Sequence, residues 1–287
     1  MNHRSTAWAS FTLLASVVIA GAGPARAQVS GPMAPPPSRA PAPPPAASKP
    51  EAPPIPPDEI IRRFAQKEDE MVRAMAGLSF QQSLRLEEVG EDGKASGQVE
   101  IVSSQFPGPD GKRYQKVVHR TESTLRFMQV ERGDLEGFTL TPMFPLTTAQ
   151  LPRYEISFEG KQPLDELSVY VFAVKPRSLD RVRAYFSGVV WVDQQDLVIV
   201  KTIGKWVTET GDVSPPMYPF TLFETYRQQV GKDLWMPAYS RSDSTLPEGK
   251  SSVPIRMVIR WSDYAPYTGA PASPPAATNS PEKPSTP

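Results

Sequence analysis

The side chains able to carry out catalysis are few in this chain, and histidine is the first to consider. His3 lies in the short polar stretch at the amino terminus, and His119 lies in the strand-like stretch VVHRTES. A Ser-His-Asp system would need His119 beside a serine on a sharp turn, and the chain has no Gly-x-Ser-x-Gly motif to present one. We therefore interpret His119 as a partly exposed strand residue and not as a general base.

Paired carboxylates are a second route to catalysis, through general acid–base chemistry. Asp193 and Asp196 lie in WVDQQDL, and Glu68 and Glu70 lie in a helical stretch. Asp commonly bonds to nearby backbone in turns, and charges on a helix surface are usually solvated. Both pairs favour a structural role, so a carboxylate-dependent hydrolase is the weakest of the functional hypotheses.

Metal, cofactor and nucleic-acid sites lack their usual signals. The chain has 0 Cys and 2 His, too few soft ligands for zinc or copper. The turns GEDGK and GPDGK lack the alternating acidic ligands of a calcium loop. Lys+Arg and Asp+Glu are equal at 31 each, without the basic patch that nucleic acid requires. We predict a non-enzyme with no catalytic residue, no metal, no cofactor and no nucleic-acid partner.

The amino terminus has the three parts of a secretory signal peptide. Arg4 lies in a polar head, an apolar run covers 7–22, and Ala25-Arg26-Ala27 offers a cleavage site. Cleavage would leave Gln28 first, and a glutamine cannot accept the lipid that anchors a bacterial lipoprotein. We expect residues 1–27 to be removed and the remaining chain to be soluble in the periplasm.

Two proline-rich segments flank a single predicted domain. Proline makes up 13 of the 27 residues in 31–57, so residues 28–57 are predicted to form a disordered, polyproline-type tether. Such a tether is either an unused leader or a docking strip for a partner. Residues 268–287 are predicted to be a disordered Pro/Ser/Thr tail. The domain between them covers 58–267.

The domain begins with one amphipathic helix and continues with strands. In PDEIIRRFAQKEDEMVRAMAG, apolar residues recur at helical spacing from Ile60 to Met75, and Gly77 marks the end. After it the apolar period changes to 2, and turns rich in Gly, Pro and Asp separate runs of five to ten residues. GDLEGF and LTTAQL are predicted to form short helical turns between the earlier and the later strands.

Three of the later strands are apolar on both of their alternating faces. LSVYVFAV, YFSGVVWV and LVIV are nearly continuous apolar runs, whereas IRMVIRW alternates. A strand covered on both faces needs such a run. We therefore predict an α+β fold, in which a large curved antiparallel sheet, an unclosed β-barrel, clasps the amino-terminal helix and the short helices.

A binding surface is predicted where the helix faces the sheet. The candidate lining residues are Phe64, Met71 and Met75 from the helix and Tyr185, Val189 and Trp191 from the strand YFSGVVWV. Apolar walls of this kind suit an apolar ligand. The alternative interpretation is that the methionines fill the core and the aromatic residues pack the sheet.

Three stretches resemble a known family. YEISFEGKQPLDELSVYVFAVKP, VVWVDQQDLVIVKTIGK and FETYRQQVGKDLWMPAYSR are similar to the pattern of LolA-like envelope proteins. That pattern has a Gly at a hairpin, a strand ending in Pro, a WVD turn strand and a W-x-P strand. The family comprises outer-membrane lipoprotein-sorting proteins and the periplasmic domain of RseB and MucB. The resemblance covers about 58–264 and implies an unclosed β-barrel whose concave face holds helices and an acyl-chain pocket.

Two functional hypotheses follow. The first is a non-catalytic periplasmic binding protein or carrier for lipids, acyl chains or lipoproteins, with peripheral contact to a membrane. The alternative is an interaction or stress-sensor module of the RseB type, which binds another envelope protein with the tether supplying reach.

Overall fold

The computed structural model describes residues 52–108, 110–129, 143–212, 220–249 and 251–269. All of them lie in one compact unit, Lys49–Pro287. The predicted signal peptide, the tether up to residue 51, the GDLEGF turn and the tail beyond 269 lie outside the described residues. Within the described ranges, no helix is long and apolar enough to cross a membrane.

The first element is the predicted helix, α1, Pro57–Ala76. Proline is tolerated at its start because the first backbone N–H groups have no partner within the helix. Asp58 and Glu59 place negative charge in the first turn, where the helix dipole favours it. The backbone N–H of Gly77 bonds to the carbonyls of the last turn. The buried residues of α1 lie on one side, as the apolar spacing predicted.

Eleven strands follow in the part of the chain that the structure describes, and all of their pairings are antiparallel. Their bounds are β1 Leu78–Val89, β2 Ala95–Pro107, β3 Arg113–Arg120, β4 Tyr154–Leu164, β5 Leu167–Pro176, β6 Tyr185–Asp193, β7 Ile199–Thr208, β8 Gly211–Asp212, β9 Phe223–Val230, β10 Leu234–Glu248 and β11 Ser251–Pro266. A short 3₁₀ turn, Leu151–Arg153, precedes β4 and begins at the last residue of the predicted LTTAQL stretch.

The strands form one sheet in the order β3-β2-β1-β11-β10-β9-β7-β6-β5-β4, with β8 paired to β7. In the described residues β3 and β4 each have one neighbour, so the sheet is not closed. The predicted α+β fold, an unclosed antiparallel sheet with one amino-terminal helix, is confirmed.

The inner face of the sheet is the face that contacts α1. On β6 it carries Phe186, Val190 and Val192, which are buried in one cluster with residues of the helix. The ring of Phe64 lies 5.9 Å from that of Phe172. Gly204 of β7 is required here, because a Cβ at that position would lie 2.0 Å from the ring of Phe186. The inner face is therefore tightly packed at the centre of the sheet.

The outer face of the β6–β7 hairpin is covered in a different way. A second buried cluster, formed by Val169, Val198 and Val200, is packed against Trp191 and Trp235. Leu164 and Leu167 complete its apolar surroundings. Side chains of the sheet and its turns thus cover this second apolar face, which explains why the hairpin is apolar throughout.

Candidate functional site

A cavity of about 370 Å³ lies between α1 and the inner face. The described residues that line it are Met71, Val72, Met75, Ala76, Arg113, Met143, Pro145 and Trp206. Small-molecule sites typically enclose about 300–1,000 Å³ and have mostly apolar walls with few polar groups. This cavity has that character, since Arg113 is the one charged residue among those that line it.

The last turns of α1 form one wall. Met71 and Met75 are one helical turn apart and are buried, and Val72 and Ala76 form the adjacent stripe. Val72 is 41% exposed, which places it at the opening. Methionine side chains are unbranched and adapt to irregular partners. A wall built from Met71, Met75 and Met143 can therefore accommodate apolar ligands of different shapes.

The segment that begins at Met143 forms a second wall. Phe144 has a φ of 40°, in the left-handed region that bulky residues rarely adopt. Its ring lies 4.6 Å from the ring of Phe186, 5.0 Å from that of Trp206 and 6.2 Å from that of Phe223. This aromatic packing holds Phe144 in the core, so its neighbours Met143 and Pro145 face the cavity.

Arg113 connects the cavity wall to the end of the helix. Its guanidinium donates to the carbonyl oxygen of Leu78 at 3.0 Å and to that of Met75, and it lies 4.8 Å from the ring centre of Phe80. A cation is stabilised at a helix carboxyl terminus by the helix dipole. Burial lowers the pKa of Arg113, and Tyr264 opposes that shift. The guanidinium nevertheless stays charged, because the pKa of arginine is far above neutral.

A buried ion pair fixes α1 to the sheet beside the cavity. Arg227 of β9 donates to both carboxylate oxygens of Glu68, and both side chains are 2% exposed. The N–H of Leu146 donates to the same carboxylate at 3.3 Å, and Arg227 donates to the carbonyl oxygen of Met143 at 3.5 Å. The interpretation of Glu68 as a solvated helix charge is therefore wrong. This pair joins α1, β9 and the Met143 segment.

The outer face carries a separate polar cluster. Lys201 Nζ lies 2.6 Å from Glu224 Oε1 and 2.8 Å from Tyr226 Oη, and it lies 5.1 Å from the ring centre of Trp191. Burial by itself would lower the pKa of Lys201, but the hydrogen bonds with Glu224 and Tyr226 outweigh it and leave the pKa raised. Lys201 is therefore held in its charged form as part of a packed surface.

The predicted lining residues divide into two groups. Met71 and Met75 line the cavity, and Phe64 is fully buried in the adjacent core. Tyr185, Val189 and Trp191 are not among the residues that line the cavity. Val189 and Trp191 alternate along β6 with the inner residues, so their side chains project to the opposite face, whereas Tyr185 at the start of the strand packs against the main buried cluster. The inner-face placement predicted for Val189 and Trp191 is wrong, because a strand that is apolar on both faces does not reveal which face is inner.

Six cavity residues were not among the predicted lining residues: Val72, Ala76, Arg113, Met143, Pro145 and Trp206. Ala76, Arg113, Met143 and Pro145 had no pattern that distinguished them, and Arg113 in KRYQKVVHR has the pattern of an ordinary exposed strand cation. Trp206 lies in a strand, where an aromatic residue is ordinarily interpreted as packing of the sheet. The hairpin pair Asp193 and Asp196 behaves as predicted, because Asp193 Oδ2 accepts the N–H groups of Gln195 and Asp196 in the turn.

Within the described ranges, no three His, Cys, Asp or Glu residues gather in a way that could hold a metal ion. No family model matches the chain, and no curated protein matches it.

Solved structures do match the chain. An outer membrane lipoprotein-sorting protein domain from Vibrio parahaemolyticus is 11% identical, with 73% of this chain and 94% of that chain covered and a TM-score of 0.35. A LolA superfamily protein from Nitrosomonas europaea is 13% identical, with 72% and 93% covered and a TM-score of 0.34. The MucA/MucB complex of Pseudomonas aeruginosa gives 14% identity, 71% and 93% coverage and a TM-score of 0.22.

At identities of 11–14% and TM-scores of 0.22–0.35, these matches carry no argument about what this chain binds. The fold rests on the strand order and registers of this chain itself. The matched structures include LolA-superfamily and MucB proteins, as the sequence resemblance predicted, and the unclosed sheet with its amino-terminal helix is the fold which that resemblance implied.

Proposed function

We propose that this chain is a non-catalytic binding protein of the periplasm that holds the acyl chain of a lipid or of a lipoprotein in the cavity between α1 and the sheet. The observation that carries the proposal is the cavity of about 370 Å³ with its apolar, methionine-rich wall. Each methylene group that leaves water for such a wall contributes about 0.8 kcal/mol.

The opening of the cavity suits a ligand with one polar end. Val72 lies at the opening, and Arg113 is the charged residue on the wall. A guanidinium has five N–H donors, and Arg113 uses two of its nitrogens for the carbonyls at the end of α1. We propose that its other donors face the carboxylate or phosphate of the ligand, while the acyl chain lies along Met71, Met75 and Met143.

The direct test is a titration of delipidated protein with a fatty acid, a phospholipid and a triacylated peptide. Melting temperature and tryptophan fluorescence are followed, since Trp206 lines the cavity. A ligand at a hundredfold excess over its Kd stabilises the native state by about 2.7 kcal/mol. For a domain of this size that raises the Tm by about 5–10 °C.

A matched pair of variants localises the binding. Val72→Trp places a large ring at the opening, where Val72 is already part-exposed, so the fold should be unaffected while the acyl chain is excluded. Val118→Trp makes the same change on the exposed part of β3, away from the cavity residues. We expect the lipid response to be lost in the first variant and kept in the second.

The competing function is that of a sensor that binds another envelope protein. No response to any of the three lipids, together with tight capture of an envelope protein by the same chain, would reject the carrier function and favour the sensor.

A further inference from the structure

The connection between β5 and β6 combines exposed apolar side chains with basic ones. Residues 177–183, RSLDRVR, are here called the 177–183 loop. Leu179 is 45% exposed and Val182 is 91% exposed. Arginine occupies the positions at both ends of the loop and the position before Val182. The loop therefore places two exposed apolar side chains between three arginines, a combination of apolar and basic groups on one short segment.

The loop is held in this conformation by backbone hydrogen bonds. Asp180 Oδ1 accepts the N–H groups of Val182 at 2.5 Å and Arg183 at 2.9 Å. These two bonds lower the pKa of Asp180, so its carboxylate is charged at neutral pH and engaged by the loop itself. The N–H of Glu209 donates to the carbonyl oxygen of Asp180 at 3.1 Å. Val182 is thus held in water by an ordered turn.

A further exposed apolar residue lies at the same end of the sheet. Leu222, which is 52% exposed, directly precedes β9. The first residue of β9 pairs with Gly204, near the end of β7. Glu209, whose N–H bonds to the loop, directly follows β7. At the opposite end of the hairpin, the β6–β7 turn exposes Gln195 and Asp196 instead. One end of this part of the sheet therefore exposes apolar side chains, and the other end exposes polar ones.

We propose that the 177–183 loop docks the protein on an anionic phospholipid bilayer. Leu179 and Val182 enter the interfacial region, and Arg177 and Arg183 contact the lipid phosphates, while Arg181 is paired with Glu209. Basic residues that flank apolar side chains match such a surface in both charge and polarity. A protein partner fits less well, because a stable protein interface buries about 1,200–2,000 Å² in total, far more than two apolar side chains provide.

The loop is physically connected to the cavity wall. Arg181 Nε donates to Glu209 Oε2 at 2.9 Å, and Glu209 follows β7, the strand that carries Trp206. Docking through the loop therefore brings one wall of the cavity near the bilayer. The membrane contact itself stands whether or not the cavity holds a lipid.

Vesicle flotation tests the docking directly. Protein recovered from the envelope is mixed with vesicles of phosphatidylglycerol and phosphatidylcholine, or of phosphatidylcholine alone. We expect stronger partitioning to the anionic vesicles and a decline with added salt. Arg177→Gln and Arg183→Gln should each weaken partitioning about fivefold, from about 1 kcal/mol per basic residue near the surface.

The apolar contribution is tested with a second set of variants. Leu179→Ser with Val182→Ser should weaken partitioning on the order of tenfold or more, by removing the methylene groups that enter the interface. The matched control is Val117→Ser with Val118→Ser, two exposed valines on β3, which should leave partitioning unchanged. Because all of these side chains are exposed, the melting temperature should stay at the wild-type value in each variant.

Three results would overturn the proposal. The first is equal partitioning to neutral and anionic vesicles. The second is an equal loss in the β3 control. The third is unchanged vesicle binding in the loop variants, with the loop crosslinking instead to an envelope protein.

Discussion

The two faces of the β6–β7 hairpin are both apolar in sequence, and they are covered by different means. On the inner face, α1 and the Met143 segment lie against Phe186 and Val190 and leave a cavity beside them. On the outer face, Trp191 packs against the small valine cluster of the sheet. A covering formed by separate elements can leave room for a ligand, whereas a covering formed by neighbouring side chains fills the surface that it protects.

The ion pairs on the two faces also differ in their exposure to solvent. The inner pair of Glu68 and Arg227 is 2% exposed at each end, whereas the outer pair of Arg241 and Asp243 is 41% and 49% exposed. Removal of one partner from a buried pair leaves the other charge without water or a counterion. In an exposed pair, water solvates the charge that remains. Substitutions on the inner face should therefore be much more destabilising than their outer counterparts.

Adjacent residues of β6 give the strongest test of this difference. Val190→Asp places a charge in the closed inner core and should lower the free energy of unfolding by about 4 kcal/mol or more. Val189→Asp, one residue earlier on the outer face, should lower it by about 1–2 kcal/mol. Urea unfolding of both variants measures the contrast. Equal losses would mean that the two faces of β6 are assigned wrongly.

The buried ion pair is the next test. Arg227→Met leaves Glu68 buried without its partner and should cost about 3–5 kcal/mol. The double variant Glu68→Leu with Arg227→Met should recover most of that loss, because it removes both charges. Chemical denaturation of the single and double variants is the measurement. If the double variant were as unstable as the single one, the cost would come from lost packing and not from the unpaired charge.

Trp191→Asp should cost about 1–3 kcal/mol, less than the inner-face changes. Trp191 lies on the outer face, where it packs against the valine cluster and beside Lys201, so the change removes packing without placing a charge in the inner core. Arg241→Gln should cost at most about 1 kcal/mol, since its partner Asp243 is solvated. The two variants are compared by their urea midpoints, and a larger loss for Arg241→Gln would contradict the account.

The stability that the outer-face ion pairs contribute should decrease gradually as the pH is lowered. Burial by itself would raise the pKa values of Glu224 and Asp243, but hydrogen bonds from Lys201 and Tyr226 to Glu224, and from Arg241 and Arg256 to Asp243, leave both lowered. Both carboxylates therefore bind a proton more tightly in the unfolded chain than in the folded one. The stability that they contribute to the fold is complete above about pH 5 and is lost as the pH falls below about 4.

Urea midpoints measured between pH 7 and pH 3 check this dependence, with Glu224→Gln expected to show a shallower decline. An identical decline in Glu224→Gln and wild type would exclude Glu224 as a source of the effect.

Much of the fold could be predicted from the sequence, because the local signals agree with one another. The apolar spacing from Ile60 to Met75 and the stop at Gly77 gave α1, and LSVYVFAVKP coincides with β5. Gly, Pro and Asp turns mark several other strand limits, but β2, β10 and β11 have 13, 15 and 16 residues, more than the five to ten predicted. Both kinds of signal act over a few residues, so they can be identified along the chain without knowledge of tertiary contacts.

The site was only partly predictable, because its key contacts join distant residues. Glu68 and Arg227 lie 159 positions apart, and nothing near either residue indicates the other. Alternation could not separate Trp191 from Val190, since both are apolar. Arg113 resembles any exposed strand cation until α1 is seen to end beside it. The helix residues Met71 and Met75 were predicted because a helix has one buried side whose position follows from its period.

The central claim is that an acyl chain lies between α1 and the inner face, and photo-crosslinking tests it most directly. A fatty acid with a diazirine near its methyl end is bound to the protein and irradiated, and the labelled peptides are mapped by mass spectrometry. We predict label on the peptides that contain Met71 to Ala76 and Met143 to Pro145, reduced by unlabelled fatty acid and absent in Val72→Trp. Saturable labelling of the outer-face residues Val189 and Trp191, with none on α1, would contradict the account.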